Sequence, residues 1–374
     1  MKQNYFTILL TMLLSMIGVQ ASAHDFEAVN SDGVTIYYSF WDNDKALSVT
    51  FRGLYDDKDY NNYSDRYTGH VAIPESVTYE GKTYPVTQIG RYAFYRCTGL
   101  TSISIPHSVT NISDAFEGCT ALTSITIPNS VVVFDVTALA YCTGLESITV
   151  EEGNRVFDSR NNCNAVIRTA TNTLEVGCKN TVIPNDVKEI DNVAFLGCSG
   201  MSSITIPNGV EIIGGGAFRA CSGLTSITIP QSVTSIGSWT FYESNNLTSI
   251  IIMNNEGLHI EDNFIRDCKA LTDIYLCAET MPNTDTYAFY NAPLENITVH
   301  VPASAVDGYK AAPAWSGFKD IVTLTEEELA SVGSITAQPT AETRFTIGGQ
   351  HIAAPRKGVN IVKRGDKVVK VLVN

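Results

Sequence analysis

The sequence predicts a mainly β repeat solenoid, in which a coil with a period of 23 residues is stacked about ten times. Three observations lead to this fold class. Similar segments recur along the sequence, as in "AFYRCTGLTSISIPHSV" at 93–109, "AFLGCSGMSSITIPNGV" at 194–210 and "AFRACSGLTSITIPQSV" at 217–233. Apolar residues fall at fixed offsets within each repeated segment, and a proline follows the last of them. Because one such coil cannot enclose a core, neighbouring coils have to cover each other.

The spacing of the predicted strands defines the coils. The last strand residues lie at positions 73, 105, 127, 150, 183, 206, 229, 252, 276 and 299. The intervals between them are 32, 22, 23, 33, 23, 23, 23, 24 and 23 residues. The two longer intervals indicate the same coil with about ten inserted residues, and the second insertion falls within 151–182.

Each part of the coil has its own pattern. The pair Ile227 and Ile229 has the period of two that is typical of a strand with both side chains inward. The preceding apolar residues, which include Phe218 and Cys221, step by three and predict a tight helical or 3₁₀ turn. Pro230 ends the strand because proline has no N–H to donate to the next ladder bond.

The nine cysteines are explained largely by the repeat. Six of them share one inward offset and are predicted to form a ladder of buried thiols: Cys97, Cys119, Cys142, Cys198, Cys221 and Cys268. The same offset also accepts Ser244 and Ala292, which favours buried thiols over disulfides. Cys163 and Cys178 lie in the second insertion and could pair with each other, whereas Cys277 has no obvious partner.

The N-terminal residues predict where the protein is located, and the net charge limits which partners it can bind. Residues 1–23 have Lys2, an apolar stretch at 6–19 and the small residues Ala21 and Ala23, which is the pattern of a cleaved signal peptide. We therefore expect an exported protein, secreted or at the cell surface or outer membrane, with no transmembrane segment. With 25 basic and 39 acidic residues, the net charge of −14 argues against nucleic acid as a partner.

The repeat consensus "IPxSVTxIGxxAFxxCxxLTSITIP" resembles the BspA-like leucine-rich repeat family of bacterial surface proteins. This resemblance implies a leucine-rich-repeat arc and a binding or adhesion role. It divides the chain into the following parts: 1–23 signal peptide, 24–69 N-terminal β cap, 70–302 repeats, 303–324 C-terminal cap, 325–343 linker and 344–374 C-terminal β module. In the C-terminal cap, Tyr309, Trp315 and Phe318 are expected to cover the open end of the core.

The last part of the chain has two interpretations. Alternating residues predict three short strands at 344–347, 359–363 and 367–373. The segment resembles the C-terminal sorting module of proteins exported by the type IX secretion system. The stretch "TIGGQ" at 346–350 stands where that module often has "DLxGR", and it lacks the Asp and the Arg. A sorting signal and a terminal β cap therefore both remain open.

We find no catalytic or metal-binding constellation in the sequence, and we expect neither enzymatic activity nor a cofactor. The six histidines have no metal-site spacing, and buried thiols without a positioned base are poor nucleophiles. The run "GGG" at 214–216 is interpreted as a repeat turn. The run from Asp57 to Asn61 matches the start of an EF-hand loop, but Asn62 and Thr68 depart from that motif, which favours a solvated loop.

The outward side chains of the strands form Ser/Thr columns, which either bind a ligand or simply keep a strand soluble. The columns change near the C-terminal end, where Asp273 and Tyr275 replace hydroxyl residues. Exposed tyrosine is favoured in interfaces. The candidate binding residues, which share this face, are Ser226, Thr228, Ser249, Asp273 and Tyr275.

These observations support two functions. The first is a surface binding or adhesion protein that recognises a macromolecule, an extracellular protein or a glycan, through its repeats. The alternative is a glycan-capturing or scaffold accessory module of a surface enzyme system. Few aromatic residues occur in the strand columns, which favours the first function. We expect a monomer.

Overall fold

The structure is a computed structural model that describes residues 24–51, 67–253, 256–325 and 327–328, together with the backbone of four strands nearer the C-terminus. The chain divides into two compact units, Met1–Val322 and Thr323–Asn374. The predicted signal peptide, the EF-hand-like run and most of the predicted linker lie outside the described residues. No helix among the described residues has the length and apolar character needed to cross a bilayer.

The N-terminal part is an antiparallel meander that continues into the solenoid. Its strands are Phe26–Val29, Thr35–Trp41 and Ala46–Thr50. Ala46–Thr50 then pairs in parallel with Lys82–Ile89, whose C-terminal end belongs to the first ladder of short strands. The meander therefore caps the core by extending a sheet.

A typical coil consists of a longer strand, a short strand and a tight turn that carries an inward phenylalanine, which Leu139 replaces in one coil. The longer strands are Thr68–Ala72, Gly99–Ser104, Ser124–Ile127, Ser147–Val150, Ser226–Ile229, Ser249–Ile252, Asp273–Leu276 and Thr298–Val301. The short strands are Asn111–Ile112, Val133–Phe134, Glu189–Ile190, Ile212–Ile213, Ser235–Ile236, His259–Ile260 and Asn283–Thr284. Longer strands pair in parallel within three sheets and short strands pair in parallel within two ladders, which confirms the predicted β solenoid of about ten coils.

Three predicted strand positions differ from the structure. Residues 178–184 and 201–207 carry no strand, although Ile183, Met201 and Ile206 are buried as the repeat requires. The last coil was predicted to end at residue 299, but its strand is Thr298–Val301. That coil is longer because it contains the 3₁₀ turn Leu294–Asn296, and its strand stops before Pro302.

The two longer coils each contain a β hairpin whose second strand starts a ladder of short strands. The first hairpin joins Ser76–Tyr79 to Lys82–Ile89, and the second joins Ala165–Arg168 to Thr173–Gly177. In the second hairpin, Thr173–Gly177 pairs in parallel with Glu189–Ile190. The short strand Phe157–Asp158 and the 3₁₀ turn Arg160–Asn162 precede this hairpin.

The second hairpin separates two hydrophobic cores. Ile167 and Leu174 pack in the C-terminal core, which extends to Ile321, whereas Val166 and Val176 pack in the N-terminal core. Both faces of the hairpin are therefore buried. Cys163 packs in the C-terminal core and Cys178 in the N-terminal one, and the two thiols are not joined in a disulfide.

Inside the solenoid the phenylalanines stack and the cysteines add bonds between coils. Phe218 lies 5.2 Å from Phe195 and 5.7 Å from Phe241, centroid to centroid, with nearly parallel rings. All six cysteines at the repeated offset are buried as thiols rather than disulfides. The Cys221 thiol, for example, donates to the carbonyl oxygen of Phe195 in the preceding coil at 3.1 Å. The same bond to the phenylalanine of the coil before is made by the thiols of Cys119, Cys142 and Cys268.

The C-terminal end of the core is covered by the helix Val306–Ala311 and the segment that follows it. Tyr309, Trp315 and Phe318 are buried, and the Trp315 ring lies 4.8 Å from Phe289. The strand Asp320–Thr323 extends the sheet of longer strands.

The second unit contains the antiparallel strands Thr343–Thr346, His351–Ile352, Gly358–Arg364 and Lys367–Val373. One of these, His351–Ile352, was not predicted. Except for Thr346, the "TIGGQ" stretch lies outside the described residues.

Candidate functional site

The five predicted site residues lie on one face, which we call the strand face, formed by the outward side chains of the longer strands. The parallel register aligns Ser226, Ser249 and Asp273 in one column. It aligns Thr228 with Tyr275 in the neighbouring column, with the buried Ile251 between them. Ser226 is exposed, and the other four are half-buried.

His300 joins this group, although it is not among the predicted site residues. Its Nε2 lies 2.9 Å from Oδ1 of Asp273, and its ring stacks on Tyr275 with the centroids 4.4 Å apart. The register pairs Tyr275 with His300 because the last coil is longer than predicted. The position of Pro302 directly after Val301 was the sequence signal for this register. Asp273, Tyr275 and His300 together form what we call the strand-face patch.

A second cluster lies on another side of the coil, which we call the turn face, formed by the outward residues of the phenylalanine turns. Arginines and aromatic rings alternate there across four successive coils. The Arg219 guanidinium lies 4.7 Å from the Tyr242 ring centroid, and the Arg266 guanidinium lies 5.6 Å from the same ring. Arg266 also lies 5.0 Å from Trp239 and 5.2 Å from Tyr290. These cation–π contacts hold the rings in place.

Three rings of this cluster remain open to solvent. Trp239 is 36% exposed, Tyr287 is 59% exposed and Tyr290 is 55% exposed. Together with Arg266, Asp262 and Asn263 they line a shallow cleft of about 280 Å³, which we call the aromatic cleft. The period-two pattern that predicts outward side chains covers only the strands, so it gave no indication of these rings in the turns.

Trp239 also forms a wall of a second cleft, of about 420 Å³, which we call the glycine cleft. The 214–216 run lies at the turn, as predicted, and lines this cleft together with Gly237. A Cβ on Gly214 would lie 2.5 Å from the backbone nitrogen of Asn192, and one on Gly237 would lie 2.5 Å from that of Gly215. The close approach of successive coils therefore requires glycine at both positions.

The carboxylates of the two clefts are engaged in hydrogen bonds within the protein. Glu261 accepts from the backbone N–H of Ser238 at 3.0 Å and from its hydroxyl at 2.9 Å. Asp262 accepts from the backbone N–H of Tyr287 at 2.9 Å. Burial, followed by the nearby Asp191 charge, raises the pKa of Glu189, which lines the glycine cleft. These groups can still accept hydrogen bonds from a ligand, because a carboxylate has about four lone-pair sites.

Outside the two faces, the cysteine thiols are groups with possible chemical reactivity. Burial raises the pKa of the Cys198 and Cys268 thiols to about 12, and that of Cys277 to about 11. Thiols of this kind are weak nucleophiles at neutral pH. Across the described part of the chain, no three His, Cys, Asp or Glu side chains are gathered in a way that could hold a metal ion.

Several solved structures are similar to this chain. The pneumococcal vaccine antigen PcpA is 14% identical over 81% of this chain and 100% of its own, with a TM-score of 0.44. A leucine-rich cell surface protein of Faecalibacterium prausnitzii A2-165 is 18% identical over 67% of this chain and 94% of its own, with a TM-score of 0.35. A leucine-rich repeat protein of Eubacterium ventriosum ATCC 27560 is 19% identical over 79% and 92%, with a TM-score of 0.44. No curated protein is significantly similar in sequence.

The repeats match a known family profile. Six copies of the BspA-type leucine-rich repeat region are found, over residues 75–187 and 174–295. These ranges cover more than half of the chain and contain both the strand-face patch and the turn-face cluster, apart from His300. The protein belongs to the BspA-type leucine-rich repeat family.

Proposed function

We propose that this protein is an exported surface protein that binds a macromolecular ligand through its repeats, without catalysis. The observation that carries the proposal is the strand-face patch, where Asp273, Tyr275 and His300 interrupt columns of Ser and Thr. A tyrosine stacked on a histidine is a rigid, partly exposed anchor, and rigid aromatic anchors favour binding. Ser226, Thr228 and Ser249 extend the same surface with hydroxyl groups.

Binding can be tested with the purified protein on extracellular-matrix proteins and on a glycan array. For any ligand that binds, Tyr275→Ala should weaken the affinity at least about fivefold, the loss typical of an interface anchor. Ser102→Ala lies on the same face at the opposite end of the solenoid and serves as the control. Full affinity of Tyr275→Ala for every ligand found would rule out the strand-face patch as the contact.

The proposal of export rests on residues 1–23, with the small residues Ala21 and Ala23 before the expected cleavage site. Expression in a bacterial host followed by N-terminal sequencing tests it. The proposal predicts a mature N-terminus near His24, whereas a protein that keeps Met1 would contradict it.

We also propose the predicted division of the chain, with the residues from 344 onwards acting as a sorting module and the folded solenoid acting as a monomer. The separate unit Thr323–Asn374, which contains four antiparallel strands, supports a role apart from the repeats. Deleting 344–374 should leave the melting temperature of the repeat unit unchanged and prevent surface display. Normal display of the shortened chain would leave only a role as a terminal β cap.

A further inference from the structure

We infer that the turn face carries a carbohydrate-binding site in which the aromatic and glycine clefts hold one neutral oligosaccharide across Trp239. The inference rests on the proposed binding function, but it assigns a separate surface and a ligand class. Four properties of the described residues support it: the rigidity of the rings, the polar groups around them, the balance of charge and the combined length of the two clefts.

The rings are rigid before any ligand arrives. Arg266 stands between Trp239 in the preceding coil and Tyr290 in the following one, at 5.0 and 5.2 Å from their ring centroids. Tyr242 packs edge-on against Trp239 at 5.1 Å, and Tyr287 packs edge-on against Tyr290 at 6.2 Å. Rings held in this way lose little entropy on binding, so they are suited to stack on the apolar faces of sugar rings.

The polar groups around these rings are suited to hydrogen bonds with the hydroxyl groups of a sugar. Asp262 and Asn263 stand beside Tyr287 and Tyr290, and Glu261 and Asn192 stand in the glycine cleft. Carboxylates and amides can accept from and donate to the closely spaced hydroxyls of a sugar. A binding site of a few fixed polar groups among aromatic walls is the usual form of a small-molecule pocket.

The charges favour an uncharged ligand. The two clefts are lined by three carboxylates, those of Glu189, Glu261 and Asp262, and by two guanidinium groups, those of Arg219 and Arg266. They therefore offer no excess of positive charge for a sulfated or phosphorylated chain. The whole chain has a net charge of −14, which repels polyanions further. A cationic ligand is disfavoured as well, because Arg266 already occupies the cation site between the rings.

The length of the site indicates a chain of sugars. The two clefts have volumes of about 280 and about 420 Å³ and share Trp239 as a common wall. A ligand that fills both must cross the indole. An oligosaccharide fits this requirement, because each of its sugar rings has an apolar face that can stack on an aromatic ring and hydroxyl groups that can bond the polar side chains.

The test is titration of the purified protein with a panel of neutral oligosaccharides: cello-, xylo-, manno-, malto- and chito-oligomers. Binding is read by isothermal calorimetry and by quenching of tryptophan fluorescence. Trp239→Ala should weaken binding at least about tenfold, because it removes the central ring. Trp41→Ala is the matched control, since Trp41 is 47% exposed in the N-terminal meander. Binding should also be insensitive to salt.

Tyr287→Ala keeps the test decisive if Trp239→Ala does not fold, because Tyr287 is the most exposed of the three rings. It should weaken binding severalfold with an unchanged melting temperature. The inference is overturned if no neutral oligomer binds the folded protein, if both variants bind like the wild type, or if only sulfated chains bind with strong salt dependence. A protein ligand that requires Trp239 would also overturn it.

These outcomes are separable from those of the proposed function. A macromolecular ligand that depends on Tyr275 but not on Trp239, with no neutral oligomer bound, would refute this inference alone. Neutral oligomers that depend on Trp239, with affinity unchanged in Tyr275→Ala, would support it while refuting the strand-face contact.

Discussion

Ser244 Oγ donates to the carbonyl oxygen of Phe218 at 2.8 Å, which is the bond that the cysteine thiols make in other coils. The hydroxyl also accepts from the backbone N–H of Cys221 at 3.2 Å. In five coils this repeat position therefore supplies a small buried donor that reaches the carbonyl group of the preceding coil, whereas Ala292 keeps only the small size. The repeat pattern alone indicates only small hydrophobic residues there, and this hydrogen bond adds the reason why serine can replace cysteine.

Replacement of Ser244 should separate hydrogen bonding from packing. Ser244→Ala leaves the buried Phe218 carbonyl without its donor and should cost about 1–3 kcal/mol of unfolding free energy. Ser244→Cys keeps a donor at the same place and should cost clearly less. Urea unfolding of both variants measures the difference, and equal losses would show that the bond contributes nothing.

The stacked phenylalanines should contribute through burial. Phe218→Ala removes a fully buried ring between Phe195 and Phe241 and should cost about 3–5 kcal/mol. Ser226→Ala, on the strand face of the same coil, should change the stability by less than about 0.5 kcal/mol. Thermal melting compares them. Similar shifts for the two variants would mean that the inward and outward sides are wrongly assigned.

The cysteines should be reduced but slow to react in the folded protein. Eight of the nine are buried, and Cys277 is half-buried with a pKa of about 11. Because the thiolate is the reactive form, a thiol reagent at neutral pH should label Cys277 first and the others only after denaturation. The denatured protein should then show all nine thiols. A deficit of two or more would reveal a disulfide.

Glu175 should make the stability depend on pH. It is 2% exposed between the two cores, pairs with Arg168, and has a pKa that burial raises above the ordinary glutamate value. A raised folded-state pKa means that the folded protein holds the proton more tightly, so its stabilising effect is present at low pH and lost as pH rises. Glu175→Gln removes this dependence. The stability advantage of the wild type over Glu175→Gln should therefore shrink between about pH 4 and pH 7.

Urea unfolding at both ends of this range tests the sign. An advantage that grows with pH would mean that the ion pair with Arg168 outweighs the burial of the carboxylate. Lys188→Ala is the control, because it removes the exposed pair between Lys188 and Glu211. That variant should shift the stability by at most about 1 kcal/mol at either pH.

The repeat could be predicted from the sequence because each coil repeats its own local chemistry. The spacing of Phe218, Cys221 and Ile229 is enough to indicate the turn, the ladder and the strand. Features that depend on how one coil meets another were harder to predict. His300 was missed because the 3₁₀ turn Leu294–Asn296 shifts the last strand by two residues.

The turn-face cluster was missed for a related reason. Trp239, Arg266 and Tyr290 belong to three different coils, and each residue alone is an ordinary surface position. Only the stacking of the coils places the guanidinium between the two rings. The strand columns, in contrast, follow from the period-two pattern within single strands.

The hairpin Ala165–Arg168 and Thr173–Gly177 also has a consequence for how the solenoid folds. In a repeat protein, cooperativity passes from each coil to its neighbours, and folding can begin in more than one place. Here the side chains on the two faces of one hairpin belong to different cores, so either half can nucleate separately but both need the same pair of strands. Loss of the hairpin exposes apolar surface in both halves at once. Part of the energetic coupling between the two ends of this solenoid therefore passes through these nine strand residues, beside the direct hydrogen bond from the Tyr141 backbone N–H to the carbonyl oxygen of Leu196.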